Sequence, residues 1–266
     1  MIASTKIEVV PYNSEWPAMF EKEKSIILNA LRSNCSAIYH VGSTSIPGIA
    51  AKPKIDIVAV AKDKKQAISS LKKYGYTYKG EWNIPLKGGF TKRGDVDVNL
   101  HLFFDENHPE IELNLSFRDY LITHEDARNE YSALKFKILE NEESQLIKNN
   151  MSIPVYTIHK RFFIDNILRK IGFNRLRVLK CLTENEQVAA QNFRKIYFLK
   201  QKLSDNAKID FNDKNHEHFI LYRGVDIVGY ADLNLISAPH VELIETQSEE
   251  EYKFFKKLIN EWISNR

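Results

Sequence analysis

The chain has 266 residues, 43% of them hydrophobic and 27% charged, which is the make-up of a soluble folded protein with room for one large domain or two ordinary ones. Its formal net charge of +3 is small for that length, and its basic residues are spread among acids with no aromatic-interleaved stripe, so no nucleic-acid partner is expected. Cys35 and Cys181 lie too far apart for a metal or redox motif, the start lacks a signal-peptide core, and no run approaches the ~18 apolar residues of a membrane span, so a reducing, cytoplasmic location with no membrane partner is expected.

In chain order, Lys6 to Val10 reads as a strand stopped by Pro11. Ser14 is a candidate N-cap for a helix carrying Trp16, Phe20, Ile27 and Leu31 on one core-facing side. Ile38 to Val41 is strand-like and runs into a loop of small residues, Gly42-Ser43-Thr44-Ser45 followed by Ile46-Pro47-Gly48. After Ala50-Ala51-Lys52-Pro53 an apolar run returns with one acid inside it, Ile55-Asp56-Ile57-Val58. The N–H groups and hydroxyls of a Gly-Ser turn suit a phosphate, and a carboxylate at a nearby strand mouth suits the magnesium that a phosphate carries. His40, just before the turn, reads equally as a packed strand residue or a ligand.

Lys64 to Tyr74 reads as a helix ended by Gly75, and Gly75 to Phe90 as strand pieces and a loop over the site. From Asp95 to Leu102 polar and apolar residues alternate, so a strand there sets Asp95, Asp97, Asn99 and His101 on one face. A half-buried strand facing solvent gives the same pattern. A long helix follows from about Glu125 to Lys148.

The block HVGSTSIPGIAAKPKIDIVAV, His40 to Val60, resembles the GrpB family within the nucleotidyltransferase superfamily, whose hallmark is GSTS-(I/V)-PG-x-AAKP-x-IDI. The opening VVPYNSEWP, Asn99-Leu100-His101-Leu102, Phe117 to Leu121, Tyr131 to Lys135, and Tyr156 to Lys160 with Phe162-Phe163-Ile164 carry the likeness from Lys6 to about Leu168. The resemblance implies an α/β (α+β) fold, a nucleotidyltransferase-like mixed sheet with helices, over residues 1–171. It implies a nucleoside triphosphate at Gly42, Ser43, Thr44, Ser45 and Lys54, with Arg118, Lys135 and Lys160 neutralising its charge. Asp56, Asp97 and His101 are the implied catalytic and metal-holding groups, with Mg²⁺ or Mn²⁺. The superfamily's acid-x-acid strand motif stands here as Lys54-Ile55-Asp56, which removes one metal ligand and puts a cation in its place.

Gly172-Phe173-Asn174 reads as a joint. Beyond it come a capping box, Thr183-Glu184-Asn185-Glu186, and a helix with Val188, Phe193, Ile196 and Tyr197 on one side. A polar loop from Lys202 to Asn215 leads to a hairpin of His218 to Tyr222 with Ile227 to Leu235. A strand from Val241 to Thr246 and a helix from Glu250 to Ser264, with Tyr252, Phe255, Leu258 and Trp262 inward, close the chain. Residues 175–266 resemble the N-terminal half of a GNAT acetyltransferase, a partial and smaller α/β domain. That family's pyrophosphate loop, Gln/Arg-x-x-Gly-x-Gly/Ala, is replaced by Gln247-Ser248-Glu249-Glu250-Glu251-Tyr252, with Glu250 and Tyr252 where small residues are needed. Acetyl-CoA is therefore not expected, and the half-domain is expected to pack on the first domain or to mediate self-association. Three functions stay open: nucleotidyl transfer from a nucleoside triphosphate to a small-molecule or protein acceptor, nucleotide or metal binding without turnover, and an acetyltransferase or its regulatory remnant.

Overall fold

The computed structural model describes residues 8–140, 159–201 and 208–266. The chain divides into two units, Met1–Trp82 with Lys87–Ile171, and Asn83–Leu86 with Gly172–Arg266. The short Asn83–Leu86 segment thus goes with the second unit, whereas the sequence places it in the first.

The first unit is a mixed sheet of five strands in the order β1-β2-β5-β4-β3: β1 (Cys35–Val41), β2 (Lys54–Ala61), β3 (Thr77–Tyr78), β4 (Gly88–Lys92) and β5 (Asp97–Phe103). The central pair, β2 and β5, runs parallel, and its neighbours are antiparallel. A central strand buried on both faces must be apolar nearly throughout, and β2 is, except at its mouth, where Lys54 and Asp56 stand. One face of the sheet packs on α1 (Trp16–Leu31) and α2 (Lys64–Lys73), joining Trp16, Phe20, Ile27 and Leu31 to Ile55, Ile57, Leu100 and Leu102. A second cluster joins Ile46 and Ile49 of the small-residue loop to α3 (Pro109–Thr123), α4 (Glu125–Glu140) and α5 (Arg161–Lys170) through Leu121, Tyr131, Phe163 and Ile167.

Several boundaries differ from the sequence reading. Glu15, not Ser14, takes the N-cap position of α1, because Pro17 fits the first turn, where its missing N–H is not needed. Val10 makes a single bridge to Ala51 instead of a strand, and Lys6 and Ile7 lie outside the described residues. So do 141–148 of the long helix and 156–158 of the family's closing segment. Helix α2 is as read, with Asp63 accepting from the Gln66 N–H at 2.8 Å and Gly75 at φ +86° beyond its end.

The second unit is an antiparallel sheet in the order β6-β7-β8-β9: β6 (Leu176–Lys180), β7 (His216–Arg223), β8 (Asp226–Asn234) and β9 (His240–Thr246). One cluster joins it to α6 (Glu184–Gln201) through Ala190 and Phe193, and another to α7 (Glu249–Ser264) through Phe255, Ile259 and Trp262. The hairpin, the last strand and the last helix fall where the sequence puts them. The capping box forms: Glu186 N–H donates to Thr183 Oγ1 at 3.4 Å and Thr183 N–H to Glu186 Oε2 at 3.0 Å. Of the four residues read on one side of this helix, Val188 and Ile196 are exposed, whereas Phe193 is buried together with Ala190 one turn earlier. Residues 202–207 of the expected loop lie outside the described residues. Among the described residues no helix is long and apolar enough to cross a membrane.

Candidate functional site

The antiparallel register of β1 on β2 sets Val41 opposite Asp56, so the chain leaves β1 directly over that acid. The next residue, Gly42, has φ +70°, and a Cβ there would lie 2.7 Å from Asp56 Oδ2. Glycine is required both for the backbone conformation and for this close approach. Past it, Ser45 Oγ donates to Gly42 O at 2.6 Å and closes a 3₁₀ turn over Ser43–Ser45. Thr44 is buried, and its hydroxyl donates to Lys54 O at 3.2 Å, fastening the turn to the mouth of β2. Because that proton is committed, His40 donates to Thr44 Oγ1 from Nε2 at 3.1 Å. Stacked on Phe20 with centroids 4.6 Å apart, His40 is held down to about 4 by burial and then by Arg118. It is a neutral, packed strand residue that braces the turn.

Asp56 and Asn99 face each other across β2 and β5, and Asn99 Nδ2 donates to Asp56 Oδ1 at 2.9 Å. Arg93, which can only donate, bonds Asn99 Oδ1 at 3.0 Å and Val98 O at 2.7 Å, which fixes the amide the right way round. Burial raises the Asp56 carboxyl, while the Asn99 bond and the ammonium groups of Lys54, Lys160 and Lys52 pull it back. The lysines are affected in turn. Burial, with Lys160 and Lys54, lowers Lys52 to about 7. Burial lowers Lys160 to about 8 against the pull of Asp56. Lys54 is lowered by burial and Arg93. Three crowded lysines around one carboxylate leave an excess of positive charge that an anion would relieve.

Lys135 on α4 is fully buried, and its Nζ lies 2.8 Å from Ser43 Oγ and 2.6 Å from Ala50 O, over the Tyr131 ring. Burial and then Lys160 lower it to about 6. One turn earlier, Ser132 Oγ accepts from Ala50 N–H at 3.2 Å, so α4 holds both ends of the small-residue loop. Arg118 on α3 donates to His40 O at 2.9 Å and pairs with Asp119 at 2.7 Å.

The structure thus brings Gly42, Ser43, Thr44, Ser45, Lys54, Asp56, Lys135 and Lys160 together. Asp97 stands across from Lys54 and pairs with Arg93 at 3.6 Å. His101 shares the sheet face of Asp56 but sits two residues beyond Asn99, ~7 Å along the strand. Its Nδ1 is 3.2 Å from Lys87 Nζ, and Trp82 meets it edge-on at 5.0 Å. Lys87 is buried, which lowers it to about 7 while Glu110 and Glu81 pull it up. Among the described residues no three His, Cys, Asp or Glu side chains are placed to hold a metal, so Asp56, Asp97 and His101 share a face without converging. Lys52, Arg93 and Asn99 were not singled out as site residues from sequence. Asn99 carries a signal in its place between Asp97 and His101, and Lys52 in its place within the AAKP stretch of the family block.

A mixed-sheet α/β unit with a Gly-Ser turn clasped against a strand aspartate defines the class of protein. The chain belongs to the GrpB family, whose profile, GrpB protein, matches residues 6–170. It is 37% identical over 133 residues to the YqkA protein of Bacillus subtilis, covering 49% of this chain and 39% of that longer protein. The glutamate-rich protein GrpB of Alkalihalophilus pseudofirmus is 30% identical over 184 residues, 64% of this chain and 100% of its own length. The crystal structure of conserved protein GrpB from Enterococcus faecalis superposes with a TM-score of 0.53 at 27% identity, over 61% of this chain and 96% of that one.

Proposed function

We propose that the first unit seats the phosphates of a nucleoside triphosphate on the Gly42–Ser45 turn, beside Asp56 and among Lys52, Lys54 and Lys160, and that the seat serves nucleotidyl transfer. The observation that carries this reading is the contact of Gly42 with the Asp56 carboxylate inside a ring of charge-suppressed lysines. Backbone and hydroxyls would hold the anion, and the ammonium groups would neutralise it.

Asp56 would hold Mg²⁺ or Mn²⁺ through its one carboxylate, a hard oxygen donor that suits either ion. When bound, such an ion would offset charge on the phosphates. The residues of the chain itself do the rest. Asn99, held by Arg93, orients Asp56 and pulls its carboxyl down against the effect of burial. Lys54, whose carbonyl accepts from Thr44, ties the seat to the strand.

Binding without turnover is the second reading, favoured by a cation at Lys54 and by the diversion of His101 to Lys87. For the second unit, the GNAT likeness rests on the stretches His218 to Leu235 and Phe193 to Leu199 and on the order of elements. At the start of α7, Glu250 and Glu251 pair with Arg223 at 3.0 and 3.1 Å, an arrangement that offers a pyrophosphate no positive seat. Incubation with α-labelled ATP, GTP, CTP or UTP and Mn²⁺ separates the readings. Label transferred by the native chain and not by Asp56→Ala supports transfer. A nucleotide-dependent rise in melting temperature with no transfer leaves binding alone, and no rise removes both.

A further inference from the structure

Phosphate binding does not account for the pairing of Ser43 with Lys135. Lys135 is a fully buried amine whose contacts are Ser43 Oγ at 2.8 Å, Ala50 O at 2.6 Å and the Tyr131 ring at 4.3 Å. None of these is an anion, and the charged group that acts on it is another cation, Lys160. Burial holds Lys135 near neutrality, with N–H groups directed at the Ala50 carbonyl and at the half-exposed Ser43 hydroxyl, an oxygen that can donate in return once the amine is neutral. Ser43 directly follows Gly42, so its oxygen sits one residue from the Asp56 carboxylate. A nucleophile and a base within hydrogen-bond reach, with the base oriented by a third group, is the arrangement of an activated serine.

We propose that Ser43 is itself a nucleotidyl acceptor and that Lys135 is the base that takes its proton. The inference rests on the nucleotide reading of the pocket and supplies the acceptor which that reading leaves open. In the step, Ser43 Oγ forms a bond to the α-phosphorus, the bond from that phosphorus to the pyrophosphate oxygen breaks, and the hydroxyl proton passes to Lys135 Nζ. Pyrophosphate leaves, and a nucleoside monophosphate remains esterified to Ser43. The neutral amine is required, so at saturating nucleotide labelling rises with pH through the Lys135 titration, which bound phosphates shift above its value of about 6, and then levels.

The full chain is incubated with α-labelled or γ-labelled ATP and Mn²⁺, the adduct is mapped by peptide mass spectrometry, and ATP binding is measured in parallel by calorimetry. The expected result is α-label on Ser43, absent in Ser43→Ala. In Lys135→Met labelling slows about 100-fold or more, the usual loss for a general base, and a small primary amine in the buffer restores part of it. Should Lys135→Met fail to fold by circular dichroism, Lys135→Arg keeps a cation that cannot accept a proton, and the same loss is expected. ATP binding without an adduct at Ser43, γ-label in place of α-label, or an equal rate in the Lys135 variants would overturn the proposal while leaving the pocket reading intact. No ATP binding at all would remove both.

Discussion

Gly42 is the residue on which the site turns. Two independent constraints meet there, a φ of +70° and a carboxylate oxygen 2.7 Å from where a Cβ would stand. Gly42→Ala must therefore carry backbone strain of ~1–3 kcal/mol and also push the Asp56 side chain aside. Chemical denaturation should show a loss in that range, and nucleotide affinity should fall with it. An alanine variant with native stability and affinity would mean that turn and acid are not locked together. Asn99 acts at the same scale by holding Asp56 through a bond whose direction Arg93 dictates.

At the scale of elements, the second unit is tied internally by a buried ion pair between α6 and β9. Arg194 and Glu245 meet through two hydrogen bonds, at 2.9 and 3.2 Å. Glu245→Ala removes the carboxylate facing the buried Arg194 guanidinium and should cost ~3–5 kcal/mol, well above the ~1 kcal/mol expected from losing the Thr183 cap. Urea unfolding of the two variants measures the difference, and equal losses would show that the pair is solvated. These elements also show what sequence can reveal. Helices α1 and α7 and the hairpin were legible because their apolar periods or turn residues are local. Helix α3 was not, since it is half-buried on most sides and has no apolar stripe. Strand β6 was hidden behind the joint. In the site, the turn and Asp56 were readable from one contiguous block. The Arg93-Asn99-Asp56 relay and the withdrawal of His101 to Lys87 arise from strand register and a distant loop, which no local pattern encodes.

The whole molecule joins a GrpB unit to a second, separate sheet. The Alkalihalophilus pseudofirmus relative is matched over its entire length by 64% of this chain. The proposed seat for phosphates beside Asp56 is positively charged, and its lysines give it a distinctive signature. Lys52 at about 7 and Lys160 at about 8 are partly neutral near physiological pH. A bound anion favours their charged forms and raises both values, so binding must take up protons between about pH 7 and 9 and weaken as pH rises through that window. The direct measurement is isothermal titration of the full chain with ATP and Mg²⁺ near pH 7.5, in two buffers of different ionisation enthalpy. Saturable binding with net proton uptake, lost in Gly42→Ala, is the predicted result. No heat at millimolar nucleotide, or binding without proton exchange, would contradict it.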